Sequence, residues 1–302
     1  MHFVVYIWLK CRVLLLRGAS YILSILIIRP GNVGPTHRQA IPGSAPEKAA
    51  FFFPPSYSKD SGHRHPVYIH IHGGGFVCGP TCDDRQFCHY VAKEADCVVI
   101  SVAYRFAPEY PYPTALQDCQ AAVQWILKEY QPTHLVIGGY SAGGTLALGT
   151  VQLFQNTFDM VMATYPALDF SRGSLHEFKE QNPLIRNMYH RAYLRNTPDT
   201  DESLRNPLLS PRYIPESTLP KSIAIINTEN DPNHKDITML ATRLKEKQPS
   251  TIYKYYAGAF HGFMNVPDFF LPEKMKQQKW DAIDTIVVEM KRVFSEPSVL
   301  KK

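Results

Sequence analysis

Gly139 and Gly143 stand two positions either side of Ser141 in the segment Gly139-Tyr140-Ser141-Ala142-Gly143. A serine hydroxyl attacks a carbonyl only when a base takes its proton and donors await the charge that builds on the oxygen. The surroundings suit such a nucleophile. Residues 134–137 read as a strand, and a helix-like pattern opens at Ala142, so Ser141 falls on the sharp turn between them. The turn lifts the hydroxyl above the sheet edge, and the two glycines let neighbouring backbone pass close by.

A second glycine run, His72-Gly73-Gly74-Gly75, follows the apolar segment VYIHI. Glycine weakens a strand or helix interior, so three together mark a loop whose backbone does something a Cβ would obstruct. Acyl transfer supplies the reason. Backbone N–H groups aimed at a developing oxyanion are each worth roughly 3–4 kcal/mol. The expected donors are Gly73 and Gly74 from this loop, with Ala142 after the serine.

The base and its orienting acid follow in the order serine, carboxylate, histidine. Asp231 lies directly after an expected strand, and His261 lies in the loop after the next one. Both therefore reach the carboxyl edge of the sheet, as Ser141 does. Glu229 stands as the alternative acid, and His234 and Asp236 compete nearby. His234 shares its loop with the acid and reads as a surface residue.

HGGG, VAYRFAPEYPYPTALQD, GYSAGG, ENDP and FHGF, in register over residues 41–294, resemble the hormone-sensitive lipase-like group of α/β-hydrolases. The resemblance implies Ser141 as nucleophile, Asp231 and His261 as its partners, and Gly73, Gly74 and Ala142 as the oxyanion hole. It implies structural roles for Tyr104, Arg105, Glu109 and Asp118 beneath the site. The expected activity is hydrolysis of a small or medium-sized carboxylic ester through an acyl-enzyme. An acyltransferase or amidase would use the same parts. A non-catalytic ligand receptor of this family would lack the histidine, which is present here. There are two departures. Tyr140 replaces the usual aspartate before the serine, and residues 1–40 differ from the usual polar start.

These residues need a scaffold. Residues 66–71, 97–104, 134–140, 160–166, 222–228 and 251–256 are short apolar runs, as expected of strands buried on both faces. Helix-like stretches at 84–95, 115–129, 142–154, 235–247 and 276–293 alternate with them. The alternation predicts an α/β-hydrolase fold built on a mostly parallel, doubly wound sheet. Residues 29–48 read as linker. The polar, proline-rich stretch 171–220 interrupts the alternation and reads as a helical cap inserted into a catalytic domain spanning 41–302.

Composition narrows the function. The 302 residues carry a net charge of +5, with no basic run interleaved with aromatics, which argues against a nucleic-acid partner. No phosphate-binding loop, dinucleotide fingerprint or metal-ligand spacing occurs, so neither a cofactor nor a metal is expected. The six cysteines lack paired spacing and read as free thiols of a reducing compartment, the cytoplasm, with disulfides the alternative that the cluster Cys78, Cys82 and Cys88 keeps open. Residues 3–28 are strongly apolar but contain Lys10, Arg12 and Arg17. Three readings compete for them: a cap helix over the pocket, an interfacial membrane anchor, and a membrane span. The cap is favoured because the matched core has no other N-terminal cover. As a cap, its apolar face would lie over the pocket, with Lys10, Arg17 and Ser24 towards water.

Overall fold

The computed structural model describes residues 3–27, 34–58, 64–79, 84–171 and 183–301. The apolar runs form strands β3 (Val67–Ile71), β5 (Leu135–Tyr140) and β6 (Met160–Thr164), with every residue buried. They sit at the centre of an eight-stranded sheet. With β1 (His37–Gln39), β2 (Ala49–Phe52), β4 (Val98–Val102), β7 (Ser222–Asn230) and β8 (Ile252–Phe260), the order is β1-β2-β4-β3-β5-β6-β7-β8. All neighbours from β4 to β8 pair in parallel, and only the β1–β2 and β2–β4 ladders are antiparallel.

Helices cover both faces. On one, α2 (Arg85–Glu94) and α8 (Glu273–Ser295) contact each other. On the other, α3 (Thr114–Tyr130) packs on α4 (Ala142–Leu153), and α7 (His234–Lys247) joins them through the 3-10 turn Pro211–Tyr213. Helix α2 buries Phe87, Cys88, Val91 and Ala92, the one-sided spacing of an amphipathic helix. Helix α4 differs, being buried from Ala142 to Val151. Its sequence AGGTLALGTV has small residues on every side, which lets β3, β5 and β6 approach it closely.

Three sequence expectations need correction or extension. The stretch read as linker contains β1, and β2 follows it unforeseen. Strand β1 is three residues long and exposed throughout, and its sequence His-Arg-Gln has no apolar alternation; it exists through its ladder to β2. Within the stretch expected as a cap, residues 172–182 lie outside the described residues, and the remainder holds α5 (Pro183–Tyr193), α6 (Asp201–Leu204) and 3-10 turns.

The third correction concerns α1 (Phe3–Ile27), whose charged stripe faces inward. Arg17 donates to the carbonyl of Val77 at 2.6 Å, to that of Ala107 at 2.9 Å, and to the Glu109 carboxylate at 2.9 Å. Lys10 stands 3.7 Å from the same carboxylate. Burial alone would raise the Glu109 carboxyl, but the Arg17 hydrogen bond and the two cations more than offset this and hold it below the usual range. Leu9 and Val13 are fully buried beside this cluster. One charge cluster outweighs the wider apolar face in setting the helix's rotation, because Glu109 and two loop carbonyls supply what a guanidinium needs. The side chain of Ser24 lies outside the described residues. No helix among the described residues is long and apolar enough to cross a membrane, α1 included.

Candidate active site

Strand β5 ends at Tyr140 and α4 begins at Ala142, leaving Ser141 alone to make the turn. Its φ of 53° lies in the left-handed region, which non-glycine residues avoid at a cost of about 1–3 kcal/mol. The Ser141 amide donates to the Thr164 carbonyl at 2.9 Å, and its carbonyl accepts from Thr145 at 3.1 Å, so both ends of the strained residue are pinned. At Gly143 any Cβ would strike the Ile71 carbonyl, which fixes why the residue after Ala142 is glycine.

Strands β7 and β8 bring the other two groups. Strand β8 ends at Phe260, and His261 is the next residue. The Nδ1–H of His261 donates to Asp231 Oδ2 at 2.6 Å, because a carboxylate can only accept. That leaves the lone pair on Nε2, which accepts from Ser141 Oγ at 2.8 Å. The Asp231 side chain is buried, and its other oxygen accepts from the Asn233 amide at 2.7 Å. The remaining candidates make other contacts. Glu229 is exposed and accepts from the Gly258 amide at 2.6 Å. His234 Nδ1 accepts from Asn227 at 3.1 Å, and Asp236 pairs with Arg212 at 2.6 Å.

Gly73, Gly74 and Ala142 face the same cavity as Ser141 and His261. Gly74 has φ +121°, and a Cβ there would collide with the Cys78 carbonyl. The amides of Gly73 and Gly74 have no hydrogen-bond acceptor among the described residues. The loop is braced from below. Tyr104 stacks on His72 with ring centroids 4.4 Å apart and donates to the His72 carbonyl at 3.2 Å. Asp118, fully buried, takes the backbone amide of Arg105 at 2.8 Å and its guanidinium at 2.6 Å.

Burial lowers the pKa of His72 in the folded protein, and its Nδ1–H donates to the Gly73 carbonyl at 2.6 Å. Unfolded His72 takes up a proton near the ordinary value of about 6.5, and the folded residue resists it. This contribution to stability is complete above that pH and is lost as pH falls through the lower folded value. Wild type should therefore lose thermal stability on acidification below about pH 6.5 more steeply than His72→Gln. Parallel pH–melting curves for the two proteins would contradict this.

Several residues near the site had no sequence signal. Tyr165 packs its ring 5.0 Å from that of His261 and donates to Asn265 Oδ1 at 2.7 Å. Asn265 in turn donates to Asp84, whose other oxygen accepts from His70 Nε2 at 3.0 Å. Tyr140, the departure from the family pattern, is buried between His70 and Phe87 and does not line the cavity. Its hydroxyl has no partner among the described residues, and burial raises its pKa well above the ordinary range. Among the described residues no cluster of histidine, cysteine and acidic side chains could hold a metal.

A family model described as alpha/beta hydrolase fold matches residues 68–265. The chain belongs to the α/β-hydrolase family. The resemblance to the hormone-sensitive lipase-like group is borne out by the relatives of this α/β-hydrolase. It is 30% identical over 247 residues to a carboxylic ester hydrolase, LipN, of Mycobacterium tuberculosis, covering 75% of this chain. The chain spans only 64% of that protein's length. An arylesterase of Saccharolobus solfataricus is 29% identical over 226 residues, covering 70% of the hydrolase and 72% of the arylesterase. Among solved structures, an α/β-hydrolase from the metagenome of Lake Arreo superimposes with a TM-score of 0.77 at 28% identity, covering 93% of this chain and 89% of that one. A Pyrobaculum calidifontis esterase gives 0.75 at 25% identity, covering 93% and 92%.

Proposed function

We propose that the chain is a serine carboxylesterase acting on small or medium-sized esters through an acyl-enzyme. The observation that carries this reading is the unbroken chain of hydrogen bonds from Asp231 through His261 to Ser141, 2.6 and 2.8 Å long, facing the glycine loop. As Ser141 Oγ bonds to the ester carbonyl carbon, its proton passes to His261 Nε2. Asp231 stabilises the imidazolium, and the amides of Gly73, Gly74 and Ala142 take the oxyanion. His261 then protonates the departing alcohol. Water, activated by the same histidine, attacks the acyl carbon and restores Ser141.

The cavity at the triad measures about 760 Å³, within the range of small-molecule sites. Phe76, Phe170 and Val266 give it an apolar wall, and Tyr189 and His190 of α5 close one side. We infer that α5 and α1 together form the cap. From the unpaired spacing of the six cysteines we infer a reducing compartment such as the cytoplasm; Cys82 lies outside the described residues. Burial lifts the Cys78 thiol to about 11, which leaves it a poor rival nucleophile beside Ser141.

Hydrolysis of p-nitrophenyl esters of rising chain length tests the reading. Values of kcat/KM should climb from acetate to the medium chains, as each buried methylene adds about 0.8 kcal/mol, and fall once the acyl chain outgrows the cavity. Absence of turnover on every chain length would overturn the esterase assignment.

A further inference from the structure

The rotation of α1 leaves its outer face uncovered. Ile7, Trp8, Cys11, Leu14, Leu15, Gly18, Ala19, Tyr21 and Ile22 are the exposed residues of its described side chains. On a helical wheel they form one arc of roughly 160°, at about 100° per residue. No charged side chain lies within the arc. Leu15 is 75% exposed and Ile22 58%, so the described residues leave them open. Single exposed leucines are ordinary, whereas a contiguous stripe along a helix marks an interaction surface.

Lys10 and Arg12 lie at the two opposite edges of this arc. Lys10 is partly exposed at one rim, and Arg12, at the other, stacks its guanidinium 3.9 Å from the Trp8 ring. The helix contains no acidic residue. An apolar face with cations along both margins and an amphipathic aromatic on it is the arrangement of a helix lying in a lipid headgroup layer. Apolar side chains enter the acyl boundary, and the rim cations meet phosphate. A second copy is a poorer occupant. In a two-fold contact along α1, rim cations would face rim cations, and the helix has no carboxylate to pair with them.

The same helix packs on elements that line or adjoin the cavity. Arg17 ties α1 to Val77, on the loop that follows Gly73–Gly75, and α1 contacts α5, which carries Tyr189 and His190 of the cavity lining. We propose that the outer face of α1 docks in the plane of an anionic lipid surface and sets the cavity mouth beside it, so that esters dissolved in that surface are the substrates. The docking stands on the geometry of α1, and the substrate class rests in addition on the esterase reading.

The test is co-sedimentation of the full-length protein with phosphatidylcholine vesicles, with and without phosphatidylglycerol. Wild type should pellet with the anionic vesicles, less so at high salt. Leu15→Glu/Ile22→Glu should lower the bound fraction about tenfold or more by placing charge in the acyl boundary. Arg12→Glu should weaken binding to the anionic vesicles selectively. Ser141→Ala should pellet as wild type does, so failure of the esterase reading leaves the docking result intact. Should a variant not fold, quenching of Trp8 fluorescence by doxyl-labelled lipid in wild type, absent in Trp8→Phe, decides the matter. Wild type remaining in the supernatant, equal pelleting of Leu15→Glu/Ile22→Glu, or a dimer that this variant dissociates without any vesicle binding would each overturn the proposal.

Discussion

Ser141→Ala should lower kcat on p-nitrophenyl butyrate by about 10⁴–10⁶-fold while leaving the thermal midpoint at or slightly above that of wild type. The size follows from what is removed. Without Oγ no covalent intermediate forms, and His261 and Asp231 have no proton to move, so one substitution silences the whole relay. A loss of 10⁵ corresponds to about 7 kcal/mol of transition-state stabilisation. The residual rate would come from the glycine amides acting on water attack. Stability should not fall, because Ser141 occupies a left-handed backbone position pinned by main-chain bonds to Thr164 and Thr145, which alanine keeps. Stopped assays with active-site-independent protein quantification give the ratio. Retention of a tenth of wild-type kcat would remove Ser141 from the mechanism.

Asp231→Asn should cost about 10⁴-fold in kcat with little change in KM. The carboxylate accepts the His261 Nδ1 proton at 2.6 Å and so keeps the lone pair on Nε2, where Ser141 needs it. An amide can instead turn its NH₂ towards Nδ1, which stabilises the opposite tautomer and puts the proton on Nε2. It also removes the negative charge that offsets the imidazolium. Glu229→Gln should be far milder, since Glu229 holds the Gly258 amide and the Tyr255 hydroxyl at the cavity rim, with no bond to His261 among the described residues. A larger loss in Glu229→Gln than in Asp231→Asn would move the acid to Glu229.

The placement of the proposed triad and its loop at one sheet edge was legible in the sequence because each depends on short local patterns. A strand, one strained residue and a helix specify the position of Ser141. The end of an apolar run specifies Asp231 and His261, since parallel strands deliver their carboxyl ends to one edge. The elements that escaped are those whose structure comes from distant partners. Strand β1 has no pattern of its own and forms on β2. The rotation of α1 could not be read from its periodicity, because the deciding contact joins Arg17 to Glu109, 92 residues away. The polar path from Tyr165 through Asn265 and Asp84 to His70 joins four segments through side chains common in any loop. Nothing in spacing distinguishes them.

The most direct test of Ser141 as an activated nucleophile is reaction with a fluorophosphonate, followed by peptide mapping of the adduct. Such probes bond to a serine only where a base has activated it and donors receive the phosphoryl oxygen, as acylation also requires. One phosphonyl group per chain, on the peptide containing Ser141, is expected in wild type, with no labelling of Ser141→Ala. Labelling of Ser141→Ala at the wild-type rate, or an adduct mapped to another residue in wild type, would contradict the assignment of Ser141, His261 and Asp231 as the catalytic unit.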